Sequence, residues 1–129
     1  MTCPRKRKGD AAELEAARLL SELTGLPVRR KLGAGRLDDT GDLDGIPRTV
    51  LQVANWSDRL RAVREKPLAA ELQRLNDGAD FAAALVRFRG KVGYRVVMTP
   101  EQFAALVIAA LLPRASSIAT CNPSSMLDW

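Results

Sequence analysis

Apolar and polar positions along this chain alternate with two different periods, and the changes from one to the other mark out its elements. From Asp10 to Thr24 the period is helical. Glu13, Ala16, Ala17 and Leu20 fall at i, i+3, i+4 and i+7 and share the face that should be buried, while Glu15, Arg18 and Glu22 share the wet face. Gly25 stands where a helix C-cap glycine belongs, and Pro27 and Val28 open an extended segment that continues through Lys31. The glycine and aspartate rich stretch Gly33-Ala34-Gly35-Arg36 and Asp38-Asp39-Thr40-Gly41 predicts a loop. Asp42 to Asp44 is a very short strand before Gly45-Ile46-Pro47 turns the chain. Thr49 to Asn55 is β-branched and apolar, a strand near the sheet centre, with Val50, Gln52 and Ala54 on one face and Leu51 and Val53 on the other. Helical periodicity returns in Leu60 and Val63, then in Leu68, Leu72 and Leu75, on either side of Pro67. Because proline suits a first helical position and not an interior, a short helix followed by a longer one starting near Pro67 is expected. Phe81 to Arg89 and Gly93 to Met98 predict a hairpin around Gly90. Thr99-Pro100-Glu101-Gln102 carries a capping-box signature and opens a final helix to about Leu112, where Pro113 stops it.

That order predicts an α/β fold, a small mixed central β-sheet flanked by helices. The 129 residues, 47% of them hydrophobic, suffice for one core and not for two of ordinary size. The expected organisation is a basic N-terminal arm (1–9), an α/β domain (10–112) and a loosely ordered tail (113–129). The longest apolar stretch, Phe103 to Leu112, is about half of what a membrane span needs, so no membrane partner is expected. Gly9, Asp10 and Glu13 interrupt the sequence where a signal peptide would be apolar, which points to a cytoplasmic protein. There is no histidine, and the two cysteines, Cys3 and Cys121, lie near opposite ends, so zinc sites and histidine-based triads drop out.

Charge narrows the partners. The net charge is +5, and the basic residues cluster: Arg5, Lys6, Arg7 and Lys8; then Arg29, Arg30, Lys31 and Arg36; then Arg87, Arg89, Lys91 and Arg95 around the predicted hairpin. Such clusters suit a phosphate backbone, although a solvated basic surface produces the same pattern. Glu13 is the one acid on an apolar stripe, and a carboxylate there costs free energy unless a cation or hydrogen bond meets it. Both a functional carboxylate and a rim carboxylate paired with a nearby arginine or lysine satisfy that demand.

Lys8-Gly9 followed by Glu13, a helix, a basic strand, a glycine-containing loop, Gly41-Asp42-Leu43 and then Leu51-Gln52-Val53-Ala54 resembles the archaeal-type Holliday junction resolvases and related phage proteins, within the PD-(D/E)XK nuclease superfamily. The likeness covers about residues 5 to 98. It implies a restriction-endonuclease-like αβββαβ core, Mg²⁺ (or Mn²⁺) as cofactor, metal-dependent hydrolysis of branched DNA in recombination, and a homodimer, since a four-way junction needs two symmetric cuts. Glu13 matches the family's helix glutamate and Asp42 its second-strand aspartate. Gln52 stands at the glutamate of the family's Glu-x-Lys and Ala54 at its lysine. In this pattern the carboxylates hold the metal through hard oxygens and the lysine orients or deprotonates the attacking water. Gln52 keeps a carbonyl oxygen without a charge; Ala54 keeps nothing of the lysine's chemistry.

Three readings of that departure stay open. Lys66 can supply the missing ammonium from a neighbouring element, with Gln52 a neutral third metal ligand beside Glu13 and Asp42. Alternatively the domain is a catalytically inactive DNA-binding module. Asp38, Asp39 or Asp44 can also supply the missing charge. Asn55 and Trp56 follow the strand at the rim where DNA would pass, Asn55 as a contact or a turn cap and Trp56 as a stacking surface or a core residue. A basic interaction protein with no nucleic-acid role is the remaining alternative.

Overall fold

The computed structural model describes residues 4–31 and 42–112, with side chains from residue 10 onward. The chain divides into two compact units, Met1–Thr99 and Pro100–Trp129. The first unit contains α1 (Pro4–Thr24), β1 (Arg29–Arg30), β2 (Leu43–Asp44), β3 (Thr49–Ala54), α2 (Arg59–Asp77), β4 (Phe81–Arg87) and β5 (Tyr94–Val97). In the second, α3 (Pro100–Leu111) is the one described element, beginning at the proline of the capping-box sequence.

The five strands lie in the order β1-β2-β3-β4-β5. Only β3 and β4 are parallel, paired from Thr49 with Phe81 to Ala54 with Val86, and α2 forms the connection between them. The other neighbours are antiparallel, so the sheet is mixed, as the sequence predicts. Both central strands are covered on two sides, which explains why TVLQVA and FAAALVR are almost continuously apolar. On one face Leu51, Val53, Leu43, Ala83 and Leu85 pack against Ala12, Ala16 and Ala17 of α1. On the other, Val50 and Ala82 meet Ala70, while Ala54 and Val86 meet Ala62 of α2. Alanine at the contacts lets both helices lie close to the sheet.

The structure corrects two expectations and settles one point the periodicity left open. First, α1 begins at Pro4, so the basic run Arg5 to Lys8 belongs to its first turns and not to a separate arm. Pro4 is a favourable opening residue and the single Gly9 costs only about 1 kcal/mol inside a helix. Second, α2 is one helix with Pro67 in its interior. The proline gives up a backbone hydrogen bond, a loss on the order of 3 kcal/mol, and the helix continues because Ala62 and Ala70 anchor it to the sheet on either side. Third, the leucines that mark α2's period point outward: Leu60, Leu68, Leu72 and Leu75 are all exposed, at 59–77% of their full areas. The sheet side of α2 carries Ala62, Lys66, Ala70 and Gln73 instead, with Ala62, Ala70 and Gln73 fully buried.

Local chemistry fixes the junctions. Asp58 caps α2 by accepting the Arg61 N–H at 3.0 Å. Gly78 ends it in the left-handed region, its N–H bonded to the Arg74 carbonyl. Arg48, just before β3, adopts φ +57, and its carbonyl accepts the N–H groups of Asp80 and Phe81 at 2.9 and 3.1 Å. Those two bonds tie the start of β3 to the start of β4. Gly45 in the β2–β3 turn has φ +114 and lies against the Pro27–Val28 backbone that leads into β1.

Among the described residues, no helix is long and apolar enough to cross a membrane.

Candidate functional site

The antiparallel register that pairs Leu43 with Leu51 sets Asp42 opposite Gln52 one step along. Asp42 is anchored there by main-chain bonds on both sides: its N–H donates to Leu51 at 2.8 Å and its carbonyl accepts the Lys31 N–H at 2.9 Å. Its Oδ2 takes the Val53 N–H at 2.7 Å, a bond the strand ladder no longer supplies once β2 ends. The aspartate is therefore held at the point where β2 and β3 part.

Glu13 comes from α1, on the turn that begins with the buried Ala12, and its side chain is 21% exposed. Arg30 of β1 meets it, Nε donating to Oε1 at 3.1 Å, and reaches Asp10 with Nη2 at 2.9 Å. Even so, the Glu13 carboxyl is held above the usual range, first by burial and then by the negative charge of Asp42, against the lowering effect of Arg30. The two acids are thus near enough to repel each other.

Gln52 is 2% exposed and lies on the α2 side of β3, between Val50 and Ala54. Lys66 arrives from α2 and donates from Nζ to Gln52 Oε1 at 3.1 Å. The Trp56 ring stands beside it, its centroid 5.5 Å from the Lys66 ammonium and 5.6 Å from the Arg61 guanidinium. Trp56 is half-buried against the Ala54, Ala62 and Val86 cluster, so it is both a core residue and a wall of the site. Ala54 is fully buried under α2.

The structure therefore sets Gln52 and Lys66 together on the α2 face of β3, with Asp42 opposite Gln52 in the ladder and Glu13, from α1 on the other face, within electrostatic reach of Asp42. Asp44 turns away: Oδ1 accepts the Gly45 N–H and Oδ2 faces the exposed Arg29 at 3.5 Å. Asp38 and Asp39 lie outside the described residues, as do Arg36 and the tail from Pro113.

The expected DNA contacts divide. Arg29 and Arg89 are exposed, and Asn55 is half-buried at the end of β3. Arg30, one-third exposed, directs its guanidinium onto Asp10 and Glu13. Arg87 pairs with Glu15 at 2.8 Å, which lowers the Glu15 carboxyl below its usual range. The side chains of Arg5, Lys6, Arg7 and Lys8 are not among those described. Lys31 lines a groove of about 290 Å³ with Asp44, Arg48 and Asp77 at the opposite end of β3, where charges of both signs alternate. Sequence reasoning did not single out Arg59, Arg61 and Arg64 on the first turns of α2, of which Arg61 lies over the Trp56 ring. Their signal is present in RLRAVREK, but apolar residues separate the arginines and no run of charge stands out.

Among the described residues, no group of three or more acidic, histidine or cysteine side chains converges as a metal cage. The set Glu13 and Asp42 nevertheless suits Mg²⁺, which keeps several waters and is commonly held by one or two carboxylates together with substrate phosphates. Burial is the main cause of the raised Glu13 carboxyl, and the charge of Asp42 is the second. No family model, curated protein or solved structure matches the chain.

Proposed function

We propose that this chain is a metal-dependent DNA endonuclease of the Holliday junction resolvase type, hydrolysing phosphodiester bonds in branched DNA. The observation that carries the reading is the Lys66 ammonium 3.1 Å from Gln52, the residue opposite Asp42 in the ladder, where the resemblance demands a lysine that Ala54 does not provide. Glu13 and Asp42 would hold Mg²⁺ or Mn²⁺, and the bound ion would supply charge stabilisation at the phosphate. Lys66 contributes a positioned cation and proton-handling group, and Trp56 and the buried Gln52 keep it from swinging into solvent. Arg59, Arg61, Arg64, Arg89 and Lys91 offer phosphate contacts, so binding should weaken steeply with salt.

The resolvase reading includes a homodimer, and the outward leucines of α2 give it a face. Leu60, Leu68, Leu72 and Leu75 are all exposed along it, and a contiguous apolar face is a common mark of a protein contact. Sedimentation should show a dimer that Leu72→Glu dissociates; a monomer at all concentrations would refute the homodimer.

A catalytically inactive DNA-binding module is the second reading, and the grip of Arg30 on Glu13 favours it, since that arginine already neutralises part of the acidic pair. One assay separates the two. The purified protein is incubated with a synthetic four-way junction and Mg²⁺ or Mn²⁺. Metal-dependent nicking that Asp42→Ala abolishes supports the enzyme; junction binding with no nicking by the wild type supports the module. Absence of binding even at low salt would remove both.

A further inference from the structure

The chain departs from Glu-x-Lys at two positions, and the packing relates them. Lys66 stands one helical turn from Ala62 and one from Ala70, both fully buried on the sheet side of α2. Ala62 belongs to the cluster under Ala54, and Ala70 to the cluster under Val50. Gln52 sits between Val50 and Ala54 on the same face of β3. The lysine therefore descends between two alanine contacts onto the one polar side chain that faces it, 3.1 Å away. With small Ala54 beside it, the strand leaves the approach from α2 open.

The orientation of the Gln52 amide follows from chemistry. A lysine ammonium has donors only, so the carbonyl oxygen must face it and the amide nitrogen must face away. In that orientation Nε2 is buried without a hydrogen-bond partner, a cost of about 1–3 kcal/mol that a methionine of similar volume would avoid. Oε1 is already engaged by a cation. For it to coordinate a divalent ion as well, two positive centres would have to share one neutral oxygen, with Lys66 displaced towards Trp56.

We propose that Gln52 is a positioning residue for Lys66 and takes no part in holding a metal: Gln52 and Trp56 together clamp the ammonium at the end of β3. The loss of the family's glutamate and the move of its lysine to α2 are then one compensated change. This assignment rests on the nuclease reading for its catalytic meaning, while the clamp itself is a matter of structure.

The test uses both levels. In a Trp129→Phe background, the emission of Trp56 is recorded without metal or DNA for Gln52→Met, Lys66→Met and the double variant. The clamp requires that Lys66→Met shift the emission, that Gln52→Met shift it in the same direction, and that the double variant add nothing further. Nicking is then followed against Mg²⁺ concentration. Lys66→Met should lower kcat by about 10²-fold or more, as loss of a proton-transfer group does. Gln52→Met should lower it by up to about 10²-fold, the effect of a misplaced group, with the half-saturating Mg²⁺ concentration unchanged. A severalfold rise in that concentration, or emission that Gln52→Met leaves at the wild-type value in a folded protein, overturns the proposal. If the wild type never nicks, the nuclease reading fails while the emission series still decides whether Gln52 holds Lys66. Should Gln52→Met fail to fold, Gln52→Leu, which also removes the acceptor, takes its place in the series and must shift the emission as Lys66→Met does; emission left at the wild-type value overturns the proposal.

Discussion

Replacing Gly45 with alanine should damage this fold far more than the loss of one hydrogen atom suggests. At φ +114 the residue lies outside every region an L side chain readily adopts, a strain on the order of 1–3 kcal/mol. A Cβ there would also run into the Pro27 carbonyl oxygen, and would come within 2.8 Å of Val28 Cα and 2.9 Å of Pro27 C. These are main-chain atoms with no rotamer to change, so a further ~1–3 kcal/mol of overpacking follows. Gly78 provides the control: it too has positive φ, +68, but a Cβ meets nothing within 4 Å, and only the backbone cost of about 1 kcal/mol applies. Both substitutions restrict the unfolded chain equally, so that contribution cancels in the comparison. Urea unfolding should place Gly45→Ala at least ~1–3 kcal/mol below Gly78→Ala, with thermal midpoints separated at about 4–8 °C per kcal/mol. Since Pro27 and Val28 lead straight into Arg30, any backbone shift that relieves the clash should also loosen Arg30 from Glu13. Equal stabilities of the two variants would refute the close approach of the β2–β3 turn to β1.

Tyr94 donates from its hydroxyl to the Ala12 carbonyl at 2.8 Å, and burial, aided by Glu15, pushes its pKa far above the ordinary tyrosine value. Its contribution to stability is complete below about pH 10 and fades as pH rises towards the folded-state value. Tyr94→Phe should therefore cost about 1 kcal/mol at neutral pH, with the gap to wild type closing in alkaline unfolding curves. A gap that stays constant would refute the assignment. Asp58→Ala removes the acceptor for the Arg61 N–H and should cost about 1 kcal/mol by denaturant unfolding. Leu72→Ala should change monomer stability by less than about 0.5 kcal/mol, whereas Val50→Ala should cost about 2 kcal/mol, and a reversal of that order would show that the leucines of α2 face inward.

What the sequence reveals here depends on the kind of signal. The period-2 alternation of Thr49 to Ala54 names the correct faces, because a strand offers only two directions and Leu51 and Val53 take one while Val50, Gln52 and Ala54 take the other. The leucines of α2 declare a helix but not which side of it is covered. A helix lying close on a sheet needs small residues at the contact, and alanines carry little hydrophobic weight in a periodicity argument. Pro67 suggests a break that tertiary packing overrides. Within the site, the loss of a lysine at Ala54 directs attention to Lys66, and the structure sets that residue at Gln52. The inward turn of Arg30 was not legible, since a long arginine stem reaches either a solvated phosphate or a buried acid with the same residue code.

The parallel pairing of β3 with β4 through α2 divides the site by robustness. Gln52 and Lys66 both belong to that β3–α2–β4 unit, which contains the longest ladders and the two alanine-lined contacts with α2. Arg30 belongs to the two-residue β1, and Asp42 stands immediately before the two-residue β2, at one margin of the sheet. Local opening should therefore strip away the carboxylate half while the lysine half stays formed, because short marginal strands exchange through smaller fluctuations than a central ladder. Slow amide exchange along Val50 to Ala54, with fast exchange at Arg30 and Leu43, would be the signature of a site whose acid ligands are assembled last and released first.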